Sequence, residues 1–145
     1  MTSLWQLCEA GKLDEVRLVL ARGGVVDVNE KYSTHVSHGT TALMVAVMYW
    51  HNSTVRLLLD QPGVKVNEKD REGGTALHYA VLGNNPVGAR MLLLHPGMDS
   101  ANSTNEDGDT ALMMAVRDRN REVLVELVNH QSVSLDLTEG ALDER

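Results

Sequence analysis

Apolar positions along the chain fall into paired stripes with helical spacing. Thr41-Ala42-Leu43-Met44-Val45-Ala46 opens one pair and Val55-Arg56-Leu57-Leu58-Leu59 completes it. The order returns as Thr75-Ala76-Leu77-His78-Tyr79-Ala80 with Ala89-Arg90-Met91-Leu92-Leu93-Leu94, then as Thr110-Ala111-Leu112-Met113-Met114-Ala115 with Val123-Leu124-Val125-Glu126-Leu127-Val128. A weaker copy, Thr2-Ser3-Leu4-Trp5-Gln6-Leu7 with Val16-Arg17-Leu18-Val19-Leu20, stands at the front of the chain. The first threonines of successive units are 39, 34 and 35 residues apart. Each unit therefore predicts a short helix and a longer helix, and three units close on an Asn, in Val28-Asn29, Val66-Asn67 and Ala101-Asn102. Threonine suits the helix start, because its hydroxyl accepts a hydrogen bond from a free amide of the first turn, an interaction of about 1 kcal/mol.

A helical pair with one apolar stripe per helix cannot hide those stripes by itself, but identical pairs stacked side by side can. The expected architecture is an all-α solenoid of about four helix-turn-helix repeats, forming one domain over residues 1–145. The repeats run over about 2–35, 36–69, 70–104 and 105–137, followed by a polar tail, 138–145. Insertions fall at turns: two extra residues near Val25-Val26, and a first connection four residues longer than the others, which contains Lys31-Tyr32-Ser33-Thr34-His35-Val36-Ser37-His38-Gly39. Pro62-Gly63 and Pro96-Gly97 mark turns after the longer helices.

The motif, its internal order and its period resemble the ankyrin repeat family, whose unit is similar to Thr-Pro-Leu-His-x-Ala, then Gly-His, then Val-Val-x-x-Leu-Leu, closing with Val-Asn. The resemblance covers Thr2 to about Leu137 and implies L-shaped units joined by β-hairpin fingers. It also implies that partners are contacted by the concave face, which the fingers and first helices line. Ala42, Ala76 and Ala111 replace the family's proline at the first helical position, and only His78 keeps the motif histidine, with Trp5, Met44 and Met113 standing elsewhere. The family's helix-ending glycine is kept as Gly11, while Trp50, Asn84 and Arg119 occupy the equivalent places. A left-handed cap suits Asn but not Trp, so the second unit is expected to turn later, near Asn52.

Composition narrows the function. With 43% hydrophobic residues against 23% charged, the chain can fold around a core, and with no Phe that core must be built from Leu, Val, Met and Ala. A net charge of −7 with scattered basic residues excludes nucleic acid as a partner, since phosphate binding needs clustered Lys and Arg. One cysteine, no signal-like start and no apolar run near the roughly 18 residues of a membrane span point to an intracellular protein, cytoplasmic or nuclear, monomeric and not associated with membranes.

No constellation of catalytic groups emerges, so the chain reads as non-enzymatic, with no cofactor and no metal. Cys8 stands where the family places a small buried Ala and reads as a packed thiol. His35 and His38 lie three apart but lack further ligands; Glu106-Asp107-Gly108-Asp109 lacks the later carboxylate of a calcium loop. The sequons at Asn52 and Asn102 have no consequence without secretion. The resemblance implies that His78, with Thr75 beside it, has a structural role, bridging hydrogen bonds between units.

The resemblance places candidate contact residues on the concave face. At the finger tips these are Ser37, His38 and Thr40, then Arg71, Glu72 and Gly74, then Glu106, Asp107 and Asp109. On the first helices they are Glu9 and Ala10, Met48 and Tyr49, Leu82 and Gly83, Arg117 and Asp118. Met48-Tyr49-Trp50 stands out as an apolar anchor, because Tyr and Trp dominate interface hot spots; the competing reading has Trp50 covering the seam over Gly83 and Asn84. The expected partner is a protein that combines an apolar anchor with basic residues. The alternative function is a scaffold, either a fragment of a larger ankyrin protein or an engineered repeat protein without a natural partner.

Overall fold

A computed structural model describes residues 2–23, 26–34 and 38–137. Val25, His35, Val36, Ser37 and the tail 138–145, all discussed above, lie outside the described residues. Four helical hairpins follow one another: α1 (Leu4–Glu9) and α2 (Leu13–Ala21), α3 (Ala42–Met48) and α4 (Asn52–Leu59), α5 (Ala76–Leu82) and α6 (Pro86–Leu94), α7 (Ala111–Asp118) and α8 (Arg121–Asn129). The first helices pack α1 on α3, α3 on α5 and α5 on α7, while the second helices form a parallel row, α2 on α4, α4 on α6 and α6 on α8. Stacking is thus lateral, and the buried residues form one continuous core from Leu4 to Val133.

The fingers differ. Between α2 and α3 the longer connection carries two antiparallel strands, β1 (Tyr32–Ser33) and β2 (His38–Thr40), paired Tyr32 to Thr40 and Ser33 to His38 with an irregularity between. The later fingers are tight turns rather than strands: Asp70 N–H donates to the Gly74 carbonyl (2.9 Å) and Asn105 N–H to that of Asp109 (2.9 Å). Each turn needs one left-handed residue, supplied by Gly73 and Gly108 at φ +78°.

Helix starts follow the threonines of the motif, with one change of register. Thr41 Oγ1 accepts from Met44 N–H (3.3 Å) and Thr110 Oγ1 from Met113 N–H (3.1 Å). In the first unit the cap is Ser3, one residue later than Thr2, and its hydroxyl accepts from Gln6 N–H while Gln6 Oε1 accepts from Ser3 N–H. Gln6, not Trp5, therefore stands at the place of His78, and α1 is the shortest of the first helices.

Trp50 corrects the expected later turn. It sits at φ +64°, as Asn84 does at +46° and Arg119 at +57°. The local geometry is preserved across units: His51 N–H reaches the Ala46 carbonyl (3.0 Å), Asn85 N–H that of Ala80 (2.8 Å) and Asn120 N–H that of Ala115 (3.0 Å). A bulky residue is strained in this region. Here the indole offsets part of the cost, because Nε1 donates to the Gly83 carbonyl of the next unit at 2.7 Å.

Successive units are joined by side chains bonded to backbone. Asn29 donates to the Gly63 carbonyl and accepts from Lys65 N–H. Asn67 donates to Gly97 (2.8 Å) and its Oδ1 accepts from Asp99 N–H, Ser100 N–H and Ser100 Oγ. Asn102 donates to Ser132 and accepts from Ser134 N–H. A second ladder runs through the hairpin turns, with His51 on Glu9, Asn85 on Val47 and Asn120 on Val81. Truncating Asn67 strips three donors of their acceptor, whereas Asn102 Oδ1 serves one. Urea unfolding should show Asn67→Ala losing about 2–3 kcal/mol and Asn102→Ala clearly less.

Candidate functional site

The face made by fingers and first helices is organised by two Asx turns. Asp70 Oδ1 accepts from Glu72 N–H (2.9 Å) and Gly74 N–H (2.8 Å), and Asn105 Oδ1 accepts from Asp107 N–H and Asp109 N–H (3.0 Å each). The fingers are chained by backbone: Arg71 N–H donates to the His38 carbonyl (2.9 Å) and Glu106 N–H to that of Glu72 (2.8 Å). With main-chain groups used inside and between fingers, the side chains of Arg71, Glu72, Glu106 and Asp107 stand exposed in a row.

Behind that row, Tyr79 donates its hydroxyl to the Asp70 carboxylate. Burial, and then that carboxylate, hold the Tyr79 hydroxyl above the usual tyrosine range, so it remains a donor. His78 is buried beside it. Its Nδ1 accepts from Thr75 N–H (3.1 Å) and lies 2.9 Å from Thr75 Oγ1, so Nε2 carries the proton donated to the Asp109 carbonyl, also at 2.9 Å. His78 thus ties α5 to the third finger. Burial lowers its pKa below the ordinary 6.5, while the bond to Asp109 works in the opposite sense.

Among the described residues, two hollows open on this face. One of about 140 Å³ is lined by Trp5, Glu9, His38, Thr40, Val45, Met48, Tyr49 and Tyr79. It joins the exposed Tyr49 and the half-buried Met48 of α3 to residues of α1, β2 and α5. Trp5 forms its back wall, stacked on Tyr32 with ring centres 4.7 Å apart and donating Nε1–H to Thr40 Oγ1 at 2.9 Å. The second, of about 70 Å³, gathers Glu72, Leu82, Glu106 and Asp107 over Asp70, His78, Tyr79, Asn105 and Met114.

Several expected contact residues change role. Thr40 is buried and bonded to Trp5, so it supports the hollow instead of presenting a finger tip. Trp50 is bonded across the seam to Gly83, as the competing reading has it, with half of its surface still exposed. Gly83 has no room for a side chain, because a Cβ there would lie 2.2 Å from the Met48 carbonyl oxygen. Asp109 is mostly covered and paired with Arg117 at 2.7 Å; Arg117 also lies 3.8 Å from Asp118. His38, Tyr49, Arg71, Glu72, Leu82, Glu106, Asp107, Arg117 and Asp118 are exposed. Sequence reasoning missed Trp5 and Tyr79 as lining residues and Asp70 and Asn105 as finger anchors; the matching spacing of Asp70 before Thr75 and Asn105 before Thr110 was the available signal.

The face is acidic, with Glu9, Glu72, Glu106, Asp107 and Asp118 exposed and Arg117 engaged by Asp109. Burial pushes the Cys8 thiol up to about 12, which leaves no thiolate at neutral pH. Among the described residues no three His, Cys, Asp or Glu side chains are grouped to hold a metal ion, and no helix is long and apolar enough to cross a membrane. A further hollow of about 590 Å³ lies between the second helices and is lined by Arg56 and Arg90 as well as Asp60 and Glu126.

Comparison with known proteins agrees with this geometry. The family model for ankyrin repeats (3 copies) matches residues 1–70 and 63–139, and the chain belongs to the ankyrin repeat family. It is 35% identical over 107 residues to a Plasmodium falciparum protein that bears the name of an E3 ubiquitin-protein ligase, covering 68% of this chain and 1% of that one. It is 35% identical over 105 residues to an ankyrin repeat protein of fowlpox virus, covering 72% and 29%. Human neurogenic locus notch homolog protein 4 is 34% identical over 100 residues, covering 67% and 5%. The chain therefore spans less than a third of each of these relatives. Repeats of this family are generally protein-interaction modules and generally not enzymes.

The His78 bridge has a pH signature. Its folded-state pKa is depressed, so its contribution to stability is complete above 6.5 and is lost as pH falls below that value through the lower folded one. Protonation would place a second N–H against Thr75 N–H. Urea unfolding of the wild type at pH 7.5 and pH 5 should show a drop that is smaller in His78→Gln, which keeps an amide at the position Gln6 occupies in the first unit.

Proposed function

We propose that this chain is a non-enzymatic protein-binding module that engages its partner through the finger and first-helix face. The observation that carries the reading is the 140 Å³ hollow beside the exposed Tyr49, with Glu9 in its lining, while Glu72, Glu106 and Asp107 line the second hollow on the same face. An apolar side chain of the partner enters between Trp5, Met48 and Tyr49, and basic residues flanking it meet Glu9, Glu72, Glu106 and Asp107. Tyr49 and Leu82 supply binding area, since neither side chain is used to hold the repeats together. Acidic rim charges chiefly speed and orient encounter, while the buried anchor sets the lifetime of the complex.

Partners captured by the wild type and absent from a Tyr49→Ala/Leu82→Ala control identify the ligand. Each substitution should weaken binding of a captured partner by about 1–2 kcal/mol with unchanged thermal stability, and affinity should fall as salt rises. Equal binding by the double variant would show that the anchor is wrong, and salt-independent binding would show that the charge reading is.

A further inference from the structure

The hollow beside Tyr49 joins aromatic rings to a carboxylate. Trp5, Tyr49 and Tyr79 come to it from three repeats, and Glu9 and Met48 join it from the last turns of α1 and α3. Trp5 stacks on Tyr32 and Tyr49 tilts against His51, with ring centres 6.4 Å apart, so the three rings are not stacked on one another and the space between them stays open. The Glu9 carboxylate makes no ion pair or hydrogen bond among the described residues. No Lys or Arg lines the hollow, and Arg71 of the next finger runs beside Gly39 instead.

Such a lining suits a cation better than a neutral guest. Aromatic rings carry negative potential over their faces, and a carboxylate beside them adds a full charge. Tyr79 contributes further, because its hydroxyl donates to the Asp70 carboxylate and the ring gains electron density. An ordinary ammonium carries three donors, and acceptors are few here, since Thr40 Oγ1 is already taken by Trp5 Nε1–H. Methylation removes those donors, keeps the charge and adds apolar surface against Met48 and Val45. Size agrees as well: an apolar cavity of about 150 Å³ admits a benzene-sized guest, and this hollow measures about 140 Å³.

We infer, resting on the binding reading above, that the group entering this hollow is the trimethylammonium head of a methylated lysine on the partner protein. Quaternary ammonium ions are recognised by aromatic rings in this way. A choline lipid offers the same cation but brings a phosphate with it. That phosphate would approach Glu9 and the exposed Glu72, Glu106 and Asp107, whereas basic residues flanking a lysine meet the same carboxylates favourably.

Nuclear magnetic resonance of the full chain, following the Trp5 indole N–H, tests the inference with defined probes. A blocked arginine-lysine-arginine tripeptide should bind about tenfold more tightly when its lysine is trimethylated, and choline should bind about fivefold more tightly than its neutral isostere 3,3-dimethylbutan-1-ol. Tyr49→Phe should keep the preference, while Tyr49→Leu and Glu9→Gln should each lose most of it. These residues are exposed, so far-UV circular dichroism should be unaltered. Equal binding of the methylated and unmethylated tripeptides, or of choline and its isostere, would overturn the ammonium assignment and leave an apolar anchor in place. Binding to phosphatidylcholine vesicles in preference to the methylated tripeptide would overturn the choice of a protein ligand. No response of the indole to any probe would overturn the inference as well, while capture of partners that depends on Tyr49 and Leu82 would still uphold the binding face.

Discussion

Register between neighbouring repeats rests on side chains that end on backbone. Asn29, Asn67 and Asn102 each donate to one carbonyl and accept from amides of the following turn. Apolar packing drives the stack together but is non-directional, and thin layers of Leu, Val, Met and Ala could slide by a fraction of a turn at little cost. An amide side chain cannot slide in this way, because its donor and acceptor meet fixed backbone groups of the next turn in one geometry and a shift breaks both bonds together. His78 adds the same constraint at the third finger, and Asn85 and Asn120 add it at the hairpin turns.

This division of labour decides where recognition can occur. Polar groups at the seams are committed to neighbouring repeats, and main-chain groups of the fingers are committed within and between fingers. Side chains at the finger tips and the last turn of each first helix carry no such duty, so they can differ between units without loss of fold. Tyr49, Leu82 and Asp118 fall in that free set. Trp50 belongs to both: its backbone takes the conformation usually given to glycine, its indole nitrogen holds the seam, and one edge of the ring remains in water.

Periodicity made the architecture legible because it reports burial. The threonines, the apolar stripes and the closing asparagines all recur at positions that the structure uses identically. The first repeat was read one residue out because Thr2 and Ser3 both suit a cap, and only the hydrogen bond from Gln6 distinguishes them. Trp50 was misread for a related reason. Conformational preference disfavours a left-handed Trp, but the bonds from His51 to Ala46 and from the indole to Gly83 are tertiary facts that outweigh it. Thr40 looked like a finger tip because the sequence shows its distance from Thr41, not the approach of Trp5 from another repeat.

The candidate site was less legible than the fold, because its hollow is assembled from three repeats. Glu9 and Trp5 come from the first, Met48 and Tyr49 from the second and Tyr79 from the third. A repeat sequence announces what its units share, whereas a binding surface consists of what they do not share. Departures from the repeat are therefore where specificity is to be sought, and they cluster here. The longer first finger brings Tyr32 beneath Trp5, and the replacement of a helix-ending glycine by Trp50 adds an aromatic residue next to Tyr49.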